Sequence, residues 1–483
     1  MRSNRKLDSS INFKWVRIDK RGIERKEELK ENKMGTEPVH GLLIKMALPM
    51  MISMFVQSLY NVVDSIFVAR IGEDALSAVS ITFPIQMLMI SVAIGTGIGM
   101  SALLSRFLGA KDYKRVNSVA QNGLFLALMS YIFFFMVSFG ARSFMAFQID
   151  DKNIIELGTT YLTIVTRFSI FIFIQIMLER FLQGTGKTLY ILFTQASGAV
   201  TNIILDPILI FGLLGAPKLG VAGAAYATVI GQLVAVIIGF LINFHKNKDV
   251  NFTQRGFRPN LADIKEIYKI GAPSIIMQSV SSVMILFINI ILAGFGSTAV
   301  ATFGIYFKLQ SFIFMPVFGL NNAIVPLIAY NYGAYKPQRM KEVMKIGKRY
   351  GIGMMLAGSI IFWAIPDILL SLFDPSEQMI HIGVSMLRII AINFPFAGYA
   401  ITMGAVFQAL GKSIYSMYIS ISRQLLVIIP VTYLLSLAGD VTAIWWAFPI
   451  SEIVGFTMSV WFARKIKRDI IGPMDIKADL NNL

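Results

Sequence analysis

The sequence predicts an all-α membrane protein in which twelve transmembrane helices form two six-helix bundles related by a pseudo-two-fold axis along the membrane normal. The first observation behind this prediction is the composition. Of 483 residues, 55% are hydrophobic and 15% are charged, and the mean hydropathy is +0.65, whereas soluble domains carry about 25% charged residues. An internal repeat is the second. The apolar runs are continuous and about 20 residues long, which favours spanning helices over a β-barrel.

Apolar runs between charged or Gly/Pro breaks define the twelve predicted spans. Their approximate limits are 44–69, 78–104, 116–141, 157–179, 189–212, 219–243, 270–294, 299–328, 347–367, 380–408, 413–436 and 442–463. The first 36 residues are charged and contain no apolar core, so they are not a signal peptide. We interpret them as part of a solvated arm.

The basic residues predict the orientation. With the N-terminus inside, 36 of the 44 Lys and Arg residues fall on the cytoplasmic side and four fall in outer loops. The other four lie within spans: Arg167, Lys308, Arg388 and Arg423. The positive-inside rule therefore places both termini in the cytoplasm. The same distribution explains the net charge of +16 without nucleic-acid binding.

The two halves repeat. "KMALP" at 45–49 matches "KIGAP" at 269–273, and "SRFLGAKDYKRVNSV" at 105–119 matches "AYNYGAYKPQRMKEV" at 329–343, so both pairs share one offset. Such a fixed offset indicates a duplicated unit. Six spans per unit is an even number, so both halves enter the membrane in the same direction, as in parallel-repeat transporters. The predicted divisions are an arm at 1–40, an N-terminal lobe at 41–243, a cytoplasmic linker at 244–268, a C-terminal lobe at 269–465 and a tail at 466–483.

Polar residues within spans are functional candidates. In the first span they form one helical stripe: Ser53, Gln57, Tyr60, Asn61 and Asp64. In the fifth span Asn202 and Asp206 share a face with Gln195 and Gly198. Asp64 and Asp206 each lie roughly 8–9 Å from the outer end of their span.

Two carboxylates at one depth can bind a cation between them or share a proton. Pro207 removes a backbone donor, so the carbonyl of Ile203 is a further candidate ligand. The alternative is that Asp206 and Asn202 only join helices by hydrogen bonds. In the second half Asp64 maps to Ile288 and Asp206 maps to Val431.

Polar residues of the second half suggest a substrate cavity. The candidates are Gln278, Asn289 and Glu452. Glu452 either meets a cationic substrate or pairs with Arg423 or Lys308, and we favour the pair. The chain has no cysteine, and its three histidines show no ligand spacing. "GTGIG" and "QGTGK" do not complete a phosphate-binding loop. We therefore expect no catalytic site and no cofactor. We also expect an ion gradient to supply the energy for transport.

The sequence resembles bacterial MATE (multidrug and toxic compound extrusion) exporters over residues 41 to about 465. The motifs that carry the resemblance are "ALP" then "QSLYNVVD", "SRFLGAKD", "QGTGK", "NIILDPILIFG" and "LGVAGAAYAT". The resemblance implies a two-lobed antiporter that expels organic cations in exchange for Na⁺ or H⁺. It also implies the residues of an N-lobe cation site, which would hold the metal ion if Na⁺ is the coupling ion: Asp64, Asn202, Asp206 and Thr228, with Tyr60 nearby and Pro49 bending the first helix. Other branches keep acids in the seventh and tenth spans, which this sequence lacks.

We therefore expect a multi-pass antiporter of the cell membrane that acts as a monomer on lipophilic organic cations, with no nucleic-acid partner. The alternative within transporters is an exporter or flippase of lipid-linked saccharides. Such a protein would need a more basic cavity than the four in-span cations provide. A lipid-modifying enzyme would need clustered histidines or acids near the headgroups, which the sequence lacks.

Overall fold

The computed structural model describes residues 15–18, 24–27, 31–251, 257–373 and 375–480. Strands β1 (Trp15–Ile18) and β2 (Glu24–Glu27) pair antiparallel as a hairpin within the predicted arm. The rest of the arm before residue 31 lies outside the described residues. All other regular structure in the described part of the chain is helical.

The described part of the first half contains nine α-helices. They are α1 (Lys33–Thr36), α2 (Val39–Ala69), α3 (Glu73–Gly109), α4 (Tyr113–Val137), α5 (Ala141–Gln148), α6 (Lys152–Arg167), α7 (Ile170–Gly184), α8 (Leu189–Phe211) and α9 (Val221–Lys246). Helix α4 continues through a single 3₁₀ turn into α5.

Eleven further helices lie between residues 257 and 480, as far as the structure describes them. They are α10 (Leu261–Ala293), α11 (Ser297–Gly333), α12 (Pro337–Ala364), α13 (Pro366–Ser371), α14 (Glu377–Ala391), α15 (Phe394–Ala409), α16 (Ser413–Ile421), α17 (Ile428–Ser436), α18 (Val441–Ile444), α19 (Ala447–Ile466) and α20 (Gly472–Leu480). A π-helical segment, Ser422–Val427, joins α16 to α17.

The twelve predicted spans all correspond to helices. Among the described residues, eight helical segments are long and apolar enough to cross a membrane, and two bent pairs, α6–α7 and α14–α15, bring the number to ten. Helices α8 and α12 occupy the fifth and ninth predicted spans. They are less apolar because α8 carries Gln195, Asn202 and Asp206 and because α12 begins with a basic stretch. At 23 and 28 residues both still exceed the length that a bilayer requires, about 20 residues.

The duplication is visible in the helix boundaries. Helices α3 and α11 begin and end at the offset of the sequence repeat, and so do the breaks in the bent pairs, after Arg167 and after Ala391. Lys111 and Tyr335, which the same offset relates, share the left-handed backbone conformation. These correspondences confirm two copies of one six-span unit.

The two lobes pack together through α2 against α11 and α3 against α10. The contact is tightest where the basic loops lie, which we call the basic end. There, a Cβ on Gly109 would lie 2.0 Å from the Tyr330 carbonyl oxygen, and one on Gly333 would lie 1.8 Å from that of Arg106. The offset of the repeat also relates these two contacts. Only glycine permits this crossing, because any side chain would meet backbone rather than a movable atom.

Ion pairing also joins the lobes at the basic end. Arg115 of α4 lies 2.8 Å from Asp263 and 3.3 Å from Glu266, both on α10. These ion pairs and the glycine crossing both hold the two lobes together at this end. The described conformation is therefore closed at the basic end.

Residues 31–37 contact both lobes. Asn32 donates to the Thr185 carbonyl at 3.1 Å, and Asn331 and Arg339 donate to the Met34 carbonyl at 3.1 and 3.2 Å. Met34 itself is fully buried. The carbonyls that a short helix leaves unpaired at its C-terminus are thus satisfied by C-lobe side chains. This part of the predicted solvated arm is docked.

Candidate functional site

Helices α2 and α8 pack along each other and bring two acids together. The carboxyl groups of Asp64 and Asp206 lie within hydrogen-bonding reach of one another. Asp206 is fully buried, and Asp64 is half-buried with its Oδ1 atom shielded from solvent and without a partner. Two acids that are far apart in the sequence therefore form one pair, as the sequence predicted from their matching depth.

Asn202 and Thr228 complete the surroundings of Asp206. Asn202 lies one helical turn before Asp206, and α9 places Thr228 opposite both. In the amide orientation that satisfies both neighbours, Asn202 Nδ2 donates to Asp206 Oδ2 at 2.9 Å and Oδ1 accepts from the Thr228 backbone N–H at 3.1 Å. The Thr228 hydroxyl is 3.3 Å from the same amide group.

Two tyrosines close the cluster. Tyr60 on α2 and Tyr161 on α6 both lie beside the Thr228 side chain. The sequence predicted Tyr60 but missed Tyr161, which is 3% exposed. A tyrosine inside an amphipathic helix is an ordinary core residue, so no signal in the sequence distinguishes it. We call the six residues the acid site: Tyr60, Asp64, Tyr161, Asn202, Asp206 and Thr228.

A cavity leads to the acid site. Its volume is about 320 Å³, and it lies between α2 and α3, with Asp64 and Ser65 on one side and Ser80 and Phe83 on the other. Asp206, at 0% exposure, lies behind Asp64. A cation that enters from this cavity therefore meets Asp64 before Asp206.

The remaining predicted residues of the first lobe lie outside the acid site. Gln57 and Asn61 share the helical stripe of Tyr60 and Asp64, but both are exposed on α2. Pro49 is buried and Pro207 half-buried, and α2 and α8 continue as helices across them. Proline has no backbone N–H, so Pro207 cannot donate to the Ile203 carbonyl. The predicted lack of a helical donor for this carbonyl therefore follows from the residue type alone.

The donor set of the acid site suits a small hard cation. Carboxylate, amide and hydroxyl oxygens are the ligands that such ions prefer, and Asp64 Oδ1 is a buried acceptor with no donor. Two carboxyl groups this close repel each other when both are ionised, so a proton or a metal cation relieves the repulsion. The residues therefore fit either Na⁺ or H⁺.

The second lobe is apolar at the equivalent positions. Ile288, the counterpart of Asp64, is fully buried among aromatic residues such as Phe303 and Trp445. Glu452 pairs with Arg423 through Nη1, at 2.8 and 3.0 Å, and is 5% exposed. The pair favoured from the sequence thus forms, and it neutralises the charge that a cationic substrate would require. Gln278 and Asn289 are half-buried on α10.

A further polar cluster was missed. Glu179 and Arg180 were predicted to end a span and to begin a cytoplasmic loop, whereas α7 carries both within the helix and continues to Gly184. Arg180 donates to Asn322 Oδ1 at 3.1 Å, and Gln183 Nε2 donates to the Asn322 carbonyl at 2.6 Å. These bonds join α7 of one lobe to α11 of the other. A pair of adjacent charged residues after an apolar run resembles a loop, and only packing shows otherwise.

The profile of the MatE family matches residues 49–208 and 273–434, which together exceed half of the chain. The chain belongs to the MatE family. It is therefore a membrane transporter and not an enzyme. The two matched segments coincide with the two copies of the repeat, as a duplicated transporter requires.

Curated relatives agree with this assignment. The chain is similar to the multidrug export protein MepA of Staphylococcus aureus, at 29% identity over 419 residues that cover 86% of this chain and 91% of the relative. A protein of the same name from Staphylococcus haemolyticus is 28% identical over 421 residues, which cover 85% and 90% of the two chains.

Solved structures share the fold. A MOP superfamily transporter from Pyrococcus furiosus superposes with a TM-score of 0.85 at 25% identity, covering 92% of this chain and 99% of that one. A multidrug resistance MATE family transporter described as outward-facing gives a TM-score of 0.85 at 24% identity with the same coverage. The two-lobed arrangement of twelve helices in this MatE protein is therefore that of known transporters.

Proposed function

We propose that this MatE protein exports lipophilic organic cations in exchange for Na⁺ or H⁺, with the acid site as the place where the ion binds. The observation that carries the proposal is the Asp64–Asp206 pair at the end of a cavity. A carboxyl pair with one buried and one half-buried member, whose charge only a bound cation compensates, provides a free-energy difference between the loaded and empty states.

Exchange follows if substrate and ion favour different conformations of the lobe. Each then lowers the affinity for the other by the same factor, because the coupling free energy is reciprocal. The acid site lies between α2, α6, α8 and α9, so filling and emptying it acts on the packing of four helices. Pro49 and Pro207 weaken the backbone hydrogen bonding of α2 and α8 and allow these helices to adjust.

The proposal of a cationic substrate rests on charge and aromatic content. The N-terminal lobe presents uncompensated acids, and the chain contains 37 phenylalanines and 16 tyrosines, which favour organic cations through cation–π contact. The relatives named as multidrug export proteins support a broad range of compounds. The competing proposal is that the protein exports lipid-linked saccharides, and the transport assay below distinguishes this function from export of organic cations.

We further propose that the protein lies in the cell membrane as a monomer with both termini in the cytoplasm. The basic end is then cytoplasmic, and the described conformation faces outward. The lobes at 41–243 and 269–465 would move against each other about the linker at 244–268, and the arm and tail would remain inside.

The test is an efflux assay in proteoliposomes with Na⁺ and pH gradients imposed separately. We expect a fluorescent quaternary ammonium dye to move against one of these gradients. Asp64→Asn and Asp206→Asn keep the size of the side chain and remove its charge, so each should abolish gradient-driven efflux. Asp440→Asn is the matched control, because Asp440 caps α18 at the surface and Asn caps a helix equally well.

Full efflux by both single variants would remove the acid site from the mechanism. Strong preference for anionic compounds over the dye would reject the cationic substrate class. Transport of a lipid-linked saccharide without either gradient would favour the competing class.

A further inference from the structure

A second buried carboxylate, Glu179, contacts the face of α8 that also carries Asn202 and Asp206. Glu179 of α7 is 7% exposed and packs against α8. Its partner Gln195 shares a helical face with Asn202 and Asp206 and precedes Asp206 by eleven residues. At 1.5 Å per residue the two acids are therefore roughly 16 Å apart along α8.

Neutral groups alone contact this carboxylate in the described part of the chain. Gln175 Nε2 donates to Oε1 at 3.0 Å, Gln195 Nε2 donates to Oε2 at 2.9 Å, and the Thr194 hydroxyl is 3.5 Å from Oε1. Among the described residues no ion pair to Glu179 is found. Arg180 is the charged neighbour that acts on it electrostatically, but its guanidinium donates to Gln183 and Asn322 instead. An ionised Glu179 would therefore be buried without a counter-ion in contact among the described residues.

An unsatisfied acceptor lies beside the carboxylate. The side-chain oxygen of Gln195, Oε1, is shielded from solvent and has no hydrogen-bond donor, although the nitrogen of the same amide donates to Glu179. A buried acceptor without a donor costs about 1–3 kcal/mol. A cation at the carboxylate would compensate its charge, and rotation of the Gln195 amide group would turn this oxygen toward the cation.

We propose that Glu179 and Gln195 form a second binding site for a small desolvated cation, Na⁺ or H⁺. This inference rests on the proposed cation coupling of the chain and extends it to the basic-end half of the lobe. Glu179 supplies the charge and Gln195 Oε1 supplies a neutral oxygen ligand or the acceptor for a proton. Arg180 and Gln183, on the same helix, make the inter-lobe bonds to Asn322. Opening of the basic end breaks those bonds and exposes the second site, so it serves exchange with the cytoplasm.

The experiment measures the thermal unfolding midpoint of the full chain in lipid nanodiscs. One arm raises NaCl at constant ionic strength against choline chloride, and the other lowers the pH without Na⁺. The background is the double variant Asp64→Asn/Asp206→Asn, which removes the acid site. A cation bound to the folded state raises the midpoint by linkage. We expect the double variant to retain a rise of the midpoint with Na⁺ or with acidification, and Glu179→Gln in that background to abolish it.

Two substitutions separate binding from structural support. Gln175 and Gln195 each donate one hydrogen bond to Glu179, but only Gln195 carries the unsatisfied oxygen. Gln195→Leu should weaken the apparent cation affinity about tenfold, as loss of a ligand or its support does, while Gln175→Leu should weaken it less than about threefold. If the Glu179→Gln protein does not fold, the comparison of Gln195→Leu with Gln175→Leu still shows whether the site binds a cation.

The inference is overturned by a double variant whose midpoint no longer rises with Na⁺ or with acid, or by equal effects of the two glutamine substitutions. A midpoint that falls on acidification would assign Glu179 a purely structural role as an ionised acceptor. Thermal unfolding tests this inference, whereas dye efflux tests the proposed export function. Failure of the export function would appear as dye transport that does not depend on Asp64 and Asp206, which is a separate result.

Discussion

The crossing of α3 and α11 at the basic end provides a direct test of the described conformation. In Gly333→Ala the new Cβ would lie 1.8 Å from the Arg106 carbonyl oxygen, whereas ordinary contacts begin near 3.4 Å. The two helices would have to move apart to make room, because backbone cannot rotate aside as a side chain can. Gly304→Ala is the matched control in the same helix, because a Cβ there meets nothing within 4 Å.

The magnitude follows from the cost of overpacking. Inserting a methyl group into a well-packed contact costs typically about 1–3 kcal/mol, and contact with backbone favours the upper half of that range. If the substitution destabilises only the state closed at the basic end by about 2 kcal/mol, the population of that state falls about 30-fold relative to the open state. Gly333→Ala should therefore populate the conformation open at the basic end.

The assay is distance measurement by electron paramagnetic resonance between spin labels on introduced cysteines. The chain has no native cysteine, and Lys114 and Lys345 are exposed basic-end positions in different lobes. We expect a longer distance to appear in Gly333→Ala and not in Gly304→Ala. Identical distance distributions in the two variants would refute the closed packing of the lobes at this crossing.

Three other predictions concern orientation, charge pairing and the acid site. Lys248→Cys should react with a membrane-impermeant maleimide only after permeabilisation, and Lys218→Cys should react in intact cells, because they lie at opposite ends of α9. Arg423→Met should lower the free energy of unfolding by about 3–5 kcal/mol, since it leaves Glu452 buried and uncompensated; chemical denaturation measures this. Tyr161→Phe removes a buried hydroxyl group beside Thr228, and an interaction worth about 1 kcal/mol corresponds to about a fivefold weaker ion dependence of efflux, with only a small decrease of the unfolding midpoint.

Each of these predictions has a defined contrary outcome. Labelling of Lys248→Cys from outside intact cells would reverse the proposed orientation. If the double substitution Arg423→Met/Glu452→Met is as destabilising as Arg423→Met alone, the loss comes from packing and not from the unpaired charge. Wild-type ion dependence in Tyr161→Phe would place Tyr161 among core residues with no part in ion binding.

Much of the architecture could be predicted from the sequence because the bilayer imposes strong constraints. Apolar runs of fixed length and basic loops follow from the cost of exposing backbone or charge to lipid, and the constant offset between matching segments indicates the duplication. The structure places a helix at all twelve predicted spans. The Asp64–Asp206 pair was also predicted, since equal depth in two spans of one lobe brings their side chains to one layer.

The tertiary structure alone shows which helix faces meet, and this determines which residues become neighbours. Tyr161 joins the acid site because α6 packs beside α9, and no periodicity in α6 indicates this. The sequence left Arg423 and Lys308 open as partners of Glu452, and the structure selects Arg423 because α19 packs against the π-helical segment that carries it.

Glu179 and Arg180 illustrate the same limit most clearly. A sequence shows two adjacent charges after an apolar run, which are typical of a loop, and hydropathy cannot show whether the helix continues. Packing against α8 buries Glu179, packing against α11 leaves Arg180 half-buried, and both helices supply hydrogen-bonding partners from other segments of the chain. Free energy of burial depends on those distant partners, so the position of a charge in the sequence alone determines neither its burial nor its partner.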